Sequence, residues 1–461
     1  MARPTALQVY KHLPIKNCRR CGENTCMAYA IKLAEGVRKI DDCPPLSDEQ
    51  KKKLIELLTP AVRAVEICTG KEAIKVGGEE VSYRHELRFF NQTALFIEVS
   101  DAMTGREVDD RINYVKGFET ERLGHKLKLD GIGIRCVSRD IKKYKDLVQK
   151  TAKAFTGPLI LCSDDMKAIK AGVEIVKKRR PLLYAATPKN LKEALNIARE
   201  HDAPLALRSP DMKELGLMAK AASSKGIEDI VLDPIAGFGP HLGETLNRYA
   251  MLRKAAVSGL REYGHPLMAK TFFMREECID KEKCAYDESS LASMLIDRFA
   301  SILLMHSIEP WTILPILTFR DGLYTDPRIE PTVEPKLYPL VNAGKDSPVI
   351  LTTNFALTYH SVSKDLEGAK IPSHLLVVDT NGLAVSVAVA ADKLTPQLVK
   401  EALEKNKVAG KVSHKTLIIP GVAGRLKDEI RELTGWKVIV GPQDSSQLAA
   451  FLKENHGKKE A

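Results

Sequence analysis

Leu159-Ile-Leu-Cys162 is a short apolar run, residues 166–179 have helical periodicity, and Leu182-Leu-Tyr-Ala185 is a second apolar run. This order is typical of a β–α–β unit, in which a helix joins two parallel strands. Six further apolar runs alternate with helical patterns around this stretch: Leu95-Phe-Ile-Glu-Val99, Gly131-Ile-Gly-Ile-Arg135, Leu205-Ala-Leu207, Ile230-Val-Leu232, Pro266-Leu-Met-Ala-Lys270 and Ser301-Ile-Leu-Leu-Met305. Eight such units over residues 91–325 predict an α/β fold with a central (β/α)8 TIM barrel. An open doubly wound sheet is the alternative.

Polar residues follow the predicted barrel strands: Asp101, Arg135, Ser163, Asp164, Asp165, Thr187, Arg208, Ser209, Asp233, Thr271, His306 and Ser307. Barrel enzymes bind their ligands at this end of the strands, so these residues indicate a small-molecule site or a face that docks a partner. Asp and Ser also cap helices, and ordinary loops and caps are the favoured interpretation of these residues. We expect Cys278 and Cys284, in a charged loop, to be free thiols rather than a second metal site.

A second α/β region follows a proline-rich segment. Residues 326–339 contain four prolines, which predicts a stiff linker. Beyond it, four apolar runs alternate with helical patterns: Pro348-Val-Ile-Leu351, Leu375-Leu-Val-Val378, Leu417-Ile-Ile419 and Lys437-Val-Ile-Val440. Residues 340–461 are therefore predicted to form a small doubly wound α/β domain, in which ligands bind beyond the carboxyl ends of the strands.

The loops after these four runs are rich in small polar residues and glycine: Thr352-Thr353-Asn354, Asp379-Thr380-Asn381-Gly382, Pro420-Gly421 and Gly441-Pro442. Residues 383–391 form a small-residue apolar stretch. Such surroundings suit a large flat cofactor with amide arms better than a nucleotide, and neither G-x-G-x-x-G nor a Walker lysine motif is present. Loop glycines serve turns equally often.

Four of the nine cysteines lie close together near the N-terminus: Cys18, Cys21, Cys26 and Cys43. Thiolates at short, unequal spacing predict a sulfur site for an iron–sulfur cluster or for zinc. Three cysteines on one tight loop and a fourth followed by Pro44 favour the cluster. Structural zinc sites more often contain a second C-x2-C pair, which is missing here. We expect this module to span residues 1–58, with a linker at residues 59–90.

The net charge of +10 is compatible with nucleic-acid binding. The basic residues, however, lie beside acidic ones on helical faces, which indicates solvated surfaces instead. No apolar run is long enough to cross a membrane, and the first residues show no signal-peptide pattern. We therefore expect a cytoplasmic protein without nucleic-acid or membrane partners.

Five stretches resemble the large subunit of the corrinoid iron–sulfur protein, which archaea have as the gamma subunit of acetyl-CoA decarbonylase/synthase. They are residues 16–28, 42–44, 352–359, 376–383 and 436–442. The resemblance covers essentially the whole chain in the same domain order. It implies a methyl carrier of the reductive acetyl-CoA (Wood–Ljungdahl) pathway, and hence a methyltransferase component. A base-off corrinoid in the Co(I) state would accept the methyl group from methyl-tetrahydropterin (folate or sarcinapterin) and deliver it to the nickel site of acetyl-CoA synthase.

The resemblance also implies cofactors and partners. A 4Fe-4S cluster on Cys18, Cys21, Cys26 and Cys43 would reactivate Co(II), and the cobalt rather than a side chain would carry the chemistry. The corrinoid would contact Thr353, Thr358, Tyr359, Leu383, Ala384, Val385, Ser386, Gly421, Gly441 and Ser446. The implied partners are a small barrel subunit in a heterodimer, a pterin methyltransferase, and acetyl-CoA synthase/CO dehydrogenase.

Two positions depart from the family pattern, and the absence of one motif bears on how the cobalt is bound. Val387 stands where the family more often has threonine, which predicts a drier lower face of the corrinoid. Arg19-Arg20 replaces the more usual Gly-Glu and should raise the cluster's potential. No histidine has Asp two residues before it, so the D-x-H-x-x-G motif is absent and no histidine should bind the cobalt. Two other functions remain open: an iron–sulfur electron-transfer or reductive activator protein without its own corrinoid, and a pterin-dependent methyltransferase that uses the barrel.

Overall fold

The computed structural model describes residues 4–34, 37–123, 125–276 and 278–456. The chain divides into two compact units, Met1–Asp326 and Pro327–Ala461. The first unit contains the cysteine module, a hairpin and a barrel, and the second contains a five-stranded sheet. Within the described ranges, no helix is both long enough and apolar enough to span a membrane.

The cysteine module consists of three short helices: α1 (Ala6–Tyr10), α2 (Cys26–Ala34) and α3 (Asp48–Leu58). Capping boxes at Thr5 and Ser47 start α1 and α3, because each hydroxyl accepts a hydrogen bond from an amide that the helix leaves unpaired. Val9, Tyr29 and Leu54 are fully buried between the helices. The module therefore has a core of its own, which fixes the cysteine-bearing loops.

A hairpin follows the module, formed by strands β1 (Ala64–Ile67) and β2 (Ile74–Gly77). Its apolar side chains are buried with those that fill the barrel interior. The amide of Arg63 donates to the carbonyl of Gly264, and that of Cys68 to Arg180, residues that precede barrel strands. The hairpin thus closes the amino-terminal end of the barrel, and residues 59–90 pack as part of the first unit.

Eight parallel strands close on themselves, which confirms the predicted (β/α)8 barrel. The elements run in the order β3 (Ala94–Ser100), α4 (Gly105–Gly117), β4 (Glu119–Arg122), β5 (His125–Lys128), β6 (Gly131–Arg135), α5 (Ile141–Ala154), β7 (Leu159–Cys162), α6 (Met166–Val176), β8 (Leu182–Ala186), α7 (Leu191–Glu200), β9 (Leu205–Arg208), α8 (Met212–Ser224), β10 (Ile230–Asp233), α9 (Leu242–Val257), β11 (Leu267–Lys270), α10 (Lys281–Asp297), β12 (Ala300–Met305) and α11 (Pro310–Tyr324). β4 and β5 form a separate antiparallel pair outside the barrel.

Side chains of the barrel strands alternate between two cores, as a pleated strand requires. Phe96, Ile160 and Met268 belong to the core inside the barrel, whereas Leu95 and Leu161 belong to the core between the barrel and its helices. Both cores are apolar over most of the strand length. The alternation also decides which residues reach the open, carboxyl-terminal end of the lumen.

The second unit is built on the sheet order β13-β15-β14-β16-β17. Its elements are β13 (Leu337–Leu340), β14 (Val349–Thr353), α12 (Ala356–Gly368), β15 (Ser373–Val378), α13 (Val385–Ala390), α14 (Pro396–Lys405), β16 (Thr416–Ile419), α15 (Lys427–Thr434), β17 (Lys437–Val440) and α16 (Leu448–His456). An apolar core on each face of the sheet confirms the predicted doubly wound arrangement. The strand order reverses between β14 and β16, which is where such sheets bind ligands.

Strand β13 is an addition to the predicted sheet. It lies partly within the proline-rich segment and pairs antiparallel with β15 at the edge of the sheet. Proline is tolerated there because one side of an edge strand needs no amide donors. The sheet is therefore mixed rather than purely parallel.

Candidate functional site

The four predicted cysteine ligands line one small cavity, here called the cysteine cavity: Cys18, Cys21, Cys26 and Cys43. It is narrow, with a volume of about 10 Å³. Three of the cysteines come from the loop that ends at the start of α2, and the fourth comes from the turn before α3. Cys18 is exposed, whereas Cys26 and Cys43 are buried, so the cavity has one edge at the surface.

Left-handed backbone conformations shape the cysteine loop. Asn17, Arg19 and Gly22 have φ angles of 46°, 61° and 81°. A Cβ atom at Gly22 would lie 3.0 Å from Arg38 Nη2, so glycine suits both the conformation and the space. The amide of Asn17 donates to Cys26 Sγ (3.4 Å), and the amide of Cys26 donates to Asn17 Oδ1 (2.8 Å). These contacts hold the loop so that its thiols face a common space.

The electrostatics of the cysteine cavity suit a metal centre. Burial and the charges of the three other cysteines raise the pKa of Cys43 to about 11. Four thiolates can therefore coexist there only with a compensating cation. Within the described residues, no three His, Cys, Asp or Glu side chains converge on the position of a single ion. A cluster makes a different demand, since each cysteine binds a different iron atom.

Glu23 anchors the cysteine loop to its surroundings. Its buried carboxylate forms ion pairs with Lys32 (2.7 Å) on α2 and with Arg38 (2.8 Å). The hydrogen bonds from Lys32 and Arg38 lower the pKa of Glu23. Lys16 and Arg19 also line the cavity, and they leave its surroundings positively charged.

A larger cavity, of about 620 Å³, lies at the carboxyl ends of β14, β16 and β17, and we call it the switch-point cavity. Its lining residues are Ile350, Leu351, Thr352, Leu357, Thr358, Ser361, Val362, Ala384, Val385, Ser386, Ile418, Ile419, Pro420, Val422, Gly441, Pro442, Gln443, Asp444, Ser445 and Leu448. Five predicted contacts are among them: Thr358, Ala384, Val385, Ser386 and Gly441. The structure thus brings together half of the predicted set.

The other five predicted contacts lie beside or beneath the switch-point cavity. Thr353 is fully buried at the end of β14. Tyr359 packs against Tyr338, with ring centroids 4.8 Å apart. Leu383 packs against the sheet core, while Gly421 and Ser446 lie in the loops after β16 and β17.

The sequence interpretation missed Ser361 and Val422, which also line this cavity. Ser361 lies three residues after the predicted Thr358 on α12, one helical turn along the same face, and that spacing could have revealed it. Val387 is half exposed on α13 and is not one of the lining residues.

Three observations test whether a flat macrocycle with amide arms suits the switch-point cavity. The hydroxyls of Thr352 and Thr353 are buried without a hydrogen-bond partner. A Cβ atom at Gly421 would lie 2.9 Å from both the amide of Gln443 and the carbonyl oxygen of Gly441, so two loops meet closely there. The walls are apolar with scattered hydroxyls, and among the described residues no histidine lines them. These properties fit such a group.

The rim of the barrel contains two kinds of polar residue. Asp101 accepts hydrogen bonds from the amides of Val137 (2.7 Å) and Ser138 (2.9 Å), and Asp165 caps α6. These side chains support loops and helix ends, as the capping interpretation predicts. Arg135 and Asp233 instead point into the barrel lumen, where they contact residues of other strands.

The expectation of free thiols at Cys278 and Cys284 is wrong, because the two residues form a disulfide. The loop before α10 turns back on the first turn of that helix. This brings the two Cα atoms to 6.3 Å, within the range that a disulfide spans.

Comparisons with known proteins cover nearly the whole chain. Residues 64–452 match the family "CO dehydrogenase/acetyl-CoA synthase delta subunit", and residues 13–45 match the family "Putative Fe-S cluster". Over 459 residues the chain is 41% identical to the acetyl-CoA decarbonylase/synthase complex subunit gamma of Methanopyrus kandleri, covering 98% of each chain. It is 39% identical over 468 residues to that of Archaeoglobus fulgidus, covering 98% of this chain and 99% of that one. Dihydropteroate synthase of Thermus thermophilus aligns with 57% of this chain and 100% of its own, at 13% identity and a TM-score of 0.40.

Proposed function

Because this chain belongs to the family of acetyl-CoA decarbonylase/synthase gamma subunits, we propose that it is the methyl carrier of that complex in the reductive acetyl-CoA (Wood–Ljungdahl) pathway. It takes a methyl group from a methyl-tetrahydropterin and delivers it to the nickel site of acetyl-CoA synthase, and so acts as a methyltransferase component. Its partners in this function are a small barrel subunit, a pterin methyltransferase and acetyl-CoA synthase/CO dehydrogenase.

The cysteine cavity is the site proposed for a 4Fe-4S cluster, which would supply electrons for reactivation. Cys18, Cys21, Cys26 and Cys43 would hold it. The amide of Asn17 stabilises negative charge on Cys26 Sγ through its hydrogen bond. The exposed Cys18 leaves one edge of the site accessible to an electron donor. The family match over residues 13–45 supports iron–sulfur over zinc.

The switch-point cavity is the site proposed for the corrinoid. When bound, the corrinoid supplies a cobalt centre that accepts and releases the methyl group. The chain's part is to bind and orient it: the unpartnered hydroxyl of Thr352 offers a hydrogen bond to an amide arm, and Val385 offers an apolar surface. No described histidine lines the cavity, which supports binding without an imidazole ligand to cobalt.

The strongest single support is that four cysteines from two separate loops line one cavity in a chain whose relatives over its whole length are gamma subunits. A cysteine cluster alone would fit many electron carriers. The full-length similarity to gamma subunits narrows this choice, and the chain also has a second cavity large enough for a cofactor.

The test is to purify the chain without oxygen, together with its small barrel subunit, and to measure iron, sulfide, cobalt and zinc alongside the visible spectrum. We expect corrinoid bands above a broad iron–sulfur shoulder. Iron and sulfide without cobalt, even with the partner present, would instead support the reductive activator. Zinc in place of iron would exclude the cluster, and tight methyl-pterin binding by the chain alone would support a barrel methyltransferase.

A further inference from the structure

The last inward-facing layer of the barrel is made entirely of side chains that can ionise. Each strand contributes one residue from its last three positions or from just beyond its end: Glu98, Arg135, Cys162, Tyr184, Arg208, Asp233, Lys270 and His306. The layer beneath is apolar: Phe96, Gly133, Ile160, Leu182, Ala206, Val231, Met268 and Leu304. Burying ionisable groups is costly unless they are paired, so each group of the upper layer is expected to have a partner of opposite charge or a hydrogen bond.

In one half of the upper layer, the charged side chains pair with one another. Glu98 accepts hydrogen bonds from Arg135 and contacts His306 Nδ1 (2.5 Å), and His306 Nε2 lies 2.9 Å from Arg111 Nη2. Burial acts to raise the pKa of Glu98, but the hydrogen bond from His306 and the charge of Arg135 lower it below its ordinary value. Phe272 covers this half, since its ring centroid lies 3.6 Å from the guanidinium carbon of Arg135. No ligand is needed here.

In the other half, the carboxylate of Asp233 already accepts two hydrogen bonds. Asp233 is fully buried, and it accepts hydrogen bonds from the hydroxyl of Tyr184 and from the amide of Ile235 (2.8 Å). Arg208 Nε lies 3.9 Å from Asp233, beyond hydrogen-bond range. Asp233 therefore does not fully satisfy the cation beside it.

Two cations in this half are only partly paired. Arg208 Nε is buried without a hydrogen bond, and Arg208 Nη1 reaches only the exposed Asp164 at 3.5 Å. Lys270 Nζ lies 5.9 Å from the ring centroid of Tyr184 and 5.2 Å from that of Phe272. Within the part of the chain that the structure describes, no carboxylate lies within 4.0 Å of Lys270 Nζ. Two positive charges thus face the lumen beside one occupied carboxylate.

We propose that Arg208 and Lys270 bind the oxyanion group of a small molecule, a phosphate or a carboxylate, at the open end of the barrel. Arg208 ends β9 and Lys270 ends β11, the two strands that flank β10, so the barrel fixes the backbone positions from which both cations extend. The partly desolvated position strengthens their attraction for an anion. This site shares no residue with the cysteine cavity or the switch-point cavity, and it does not depend on the methyl-carrier function.

The test measures ligand binding to the full-length protein carrying its cofactors, by calorimetry at constant ionic strength. Inorganic phosphate and succinate are the two probes, with chloride as the reference salt, and they distinguish a phosphate site from a carboxylate site. We expect saturable binding of at least one probe. Lys270→Met and Arg208→Met should each weaken it at least tenfold, since each removes one of two charges. Lys192→Met, at an exposed lysine on α7, should leave it unchanged.

A second measurement needs no variant. Reductive methylation followed by mass spectrometry gives the modification rate of each lysine, and the bound probe should slow modification of Lys270 several-fold while leaving Lys192 unaffected. The proposal is overturned if neither probe binds more tightly than chloride, or if Lys270→Met and Lys192→Met bind the probe equally well. Equal slowing of modification at Lys270 and Lys192 would also overturn the proposal, because such slowing would show an effect of the probe on all lysines rather than binding at one site.

Discussion

Single residues set the chemistry of the cysteine cavity. Cys26 is buried at the first position of α2 and is linked to Asn17 by two hydrogen bonds, whereas Cys18 lies at the surface. The sequence predicted these ligands because their spacing is short and their residue type is specific. It could not predict which cysteine is buried, because that depends on how α2 packs against the rest of the module.

Replacing Cys26 should separate electron supply from methyl transfer. We expect Cys26→Ala to abolish electron-driven reactivation, because the site loses a buried ligand, while chemically pre-reduced protein still accepts a methyl group. Cys68→Ala, at a buried thiol outside the cavity, is the matched control and should keep both activities. Loss of single-turnover methylation in Cys26→Ala would show that the two functions are not divided in this way.

His265 should give the barrel a pH-dependent stability. It is buried, and burial lowers its pKa to about 3 from 6.5. The unfolded chain binds a proton below pH 6.5 that the folded chain does not, so stability is lost as the pH falls from 6.5 towards 3. Between pH 7 and pH 5 this loss is about 2 kcal/mol. Urea unfolding should show His265→Gln losing correspondingly less than the wild type, with the exposed His85→Gln matching the wild type.

At the scale of elements, periodicity predicted the regular parts and missed the irregular ones. All eight barrel strands were predicted because each is a short apolar run before a helix. Strand β13 was missed because Pro339 and the three prolines before the strand indicate a linker. Helix α13 was missed because Val385-Ser-Val-Ala-Val-Ala390 has too short a pattern to show helical periodicity. The inward layer was seen only as a polar rim, because the lumen-facing phase of each strand depends on closure of the barrel.

The close meeting of the loops after β16 and β17 can be tested at Gly421. In Gly421→Ala the new methyl group would lie 2.9 Å from backbone atoms of Gln443 and Gly441, which cannot move aside as a side chain can. We expect a loss of about 1–3 kcal/mol in the second unit and weaker corrinoid uptake. Gly410→Ala is the control, since nothing lies within 4 Å of its new methyl group. Equal behaviour of the two variants in thermal unfolding and corrinoid titration would rule out this role for Gly421.

At the scale of the whole molecule, composition and spacing predicted the order of the parts: a cysteine module, a barrel, and a small α/β region with a predicted cofactor site. The disulfide between Cys278 and Cys284 could not be predicted in the same way, because nothing in the spacing shows that the loop turns back before α10. The second unit has a core of its own on each face of its sheet.

A fragment of residues 327–461 should therefore fold alone but hold a corrinoid only weakly. The two cores provide for folding, whereas family resemblance implies that the small barrel subunit covers the remaining face of the cofactor. Circular dichroism should show a cooperative unfolding transition, and spectroscopic titration should show retention weaker than in the heterodimer. Nanomolar retention by the fragment would contradict the shared site.

The β1–β2 hairpin covers the amino-terminal end of the barrel. Among the described residues, the apolar layer inside the barrel separates this hairpin from Arg208 and Lys270, so an anion bound there would enter and leave at the carboxyl-terminal end. A bulky tag attached at the amino-terminal end of the barrel should leave binding and release of the anion unchanged, whereas a tag at the carboxyl-terminal end should slow both.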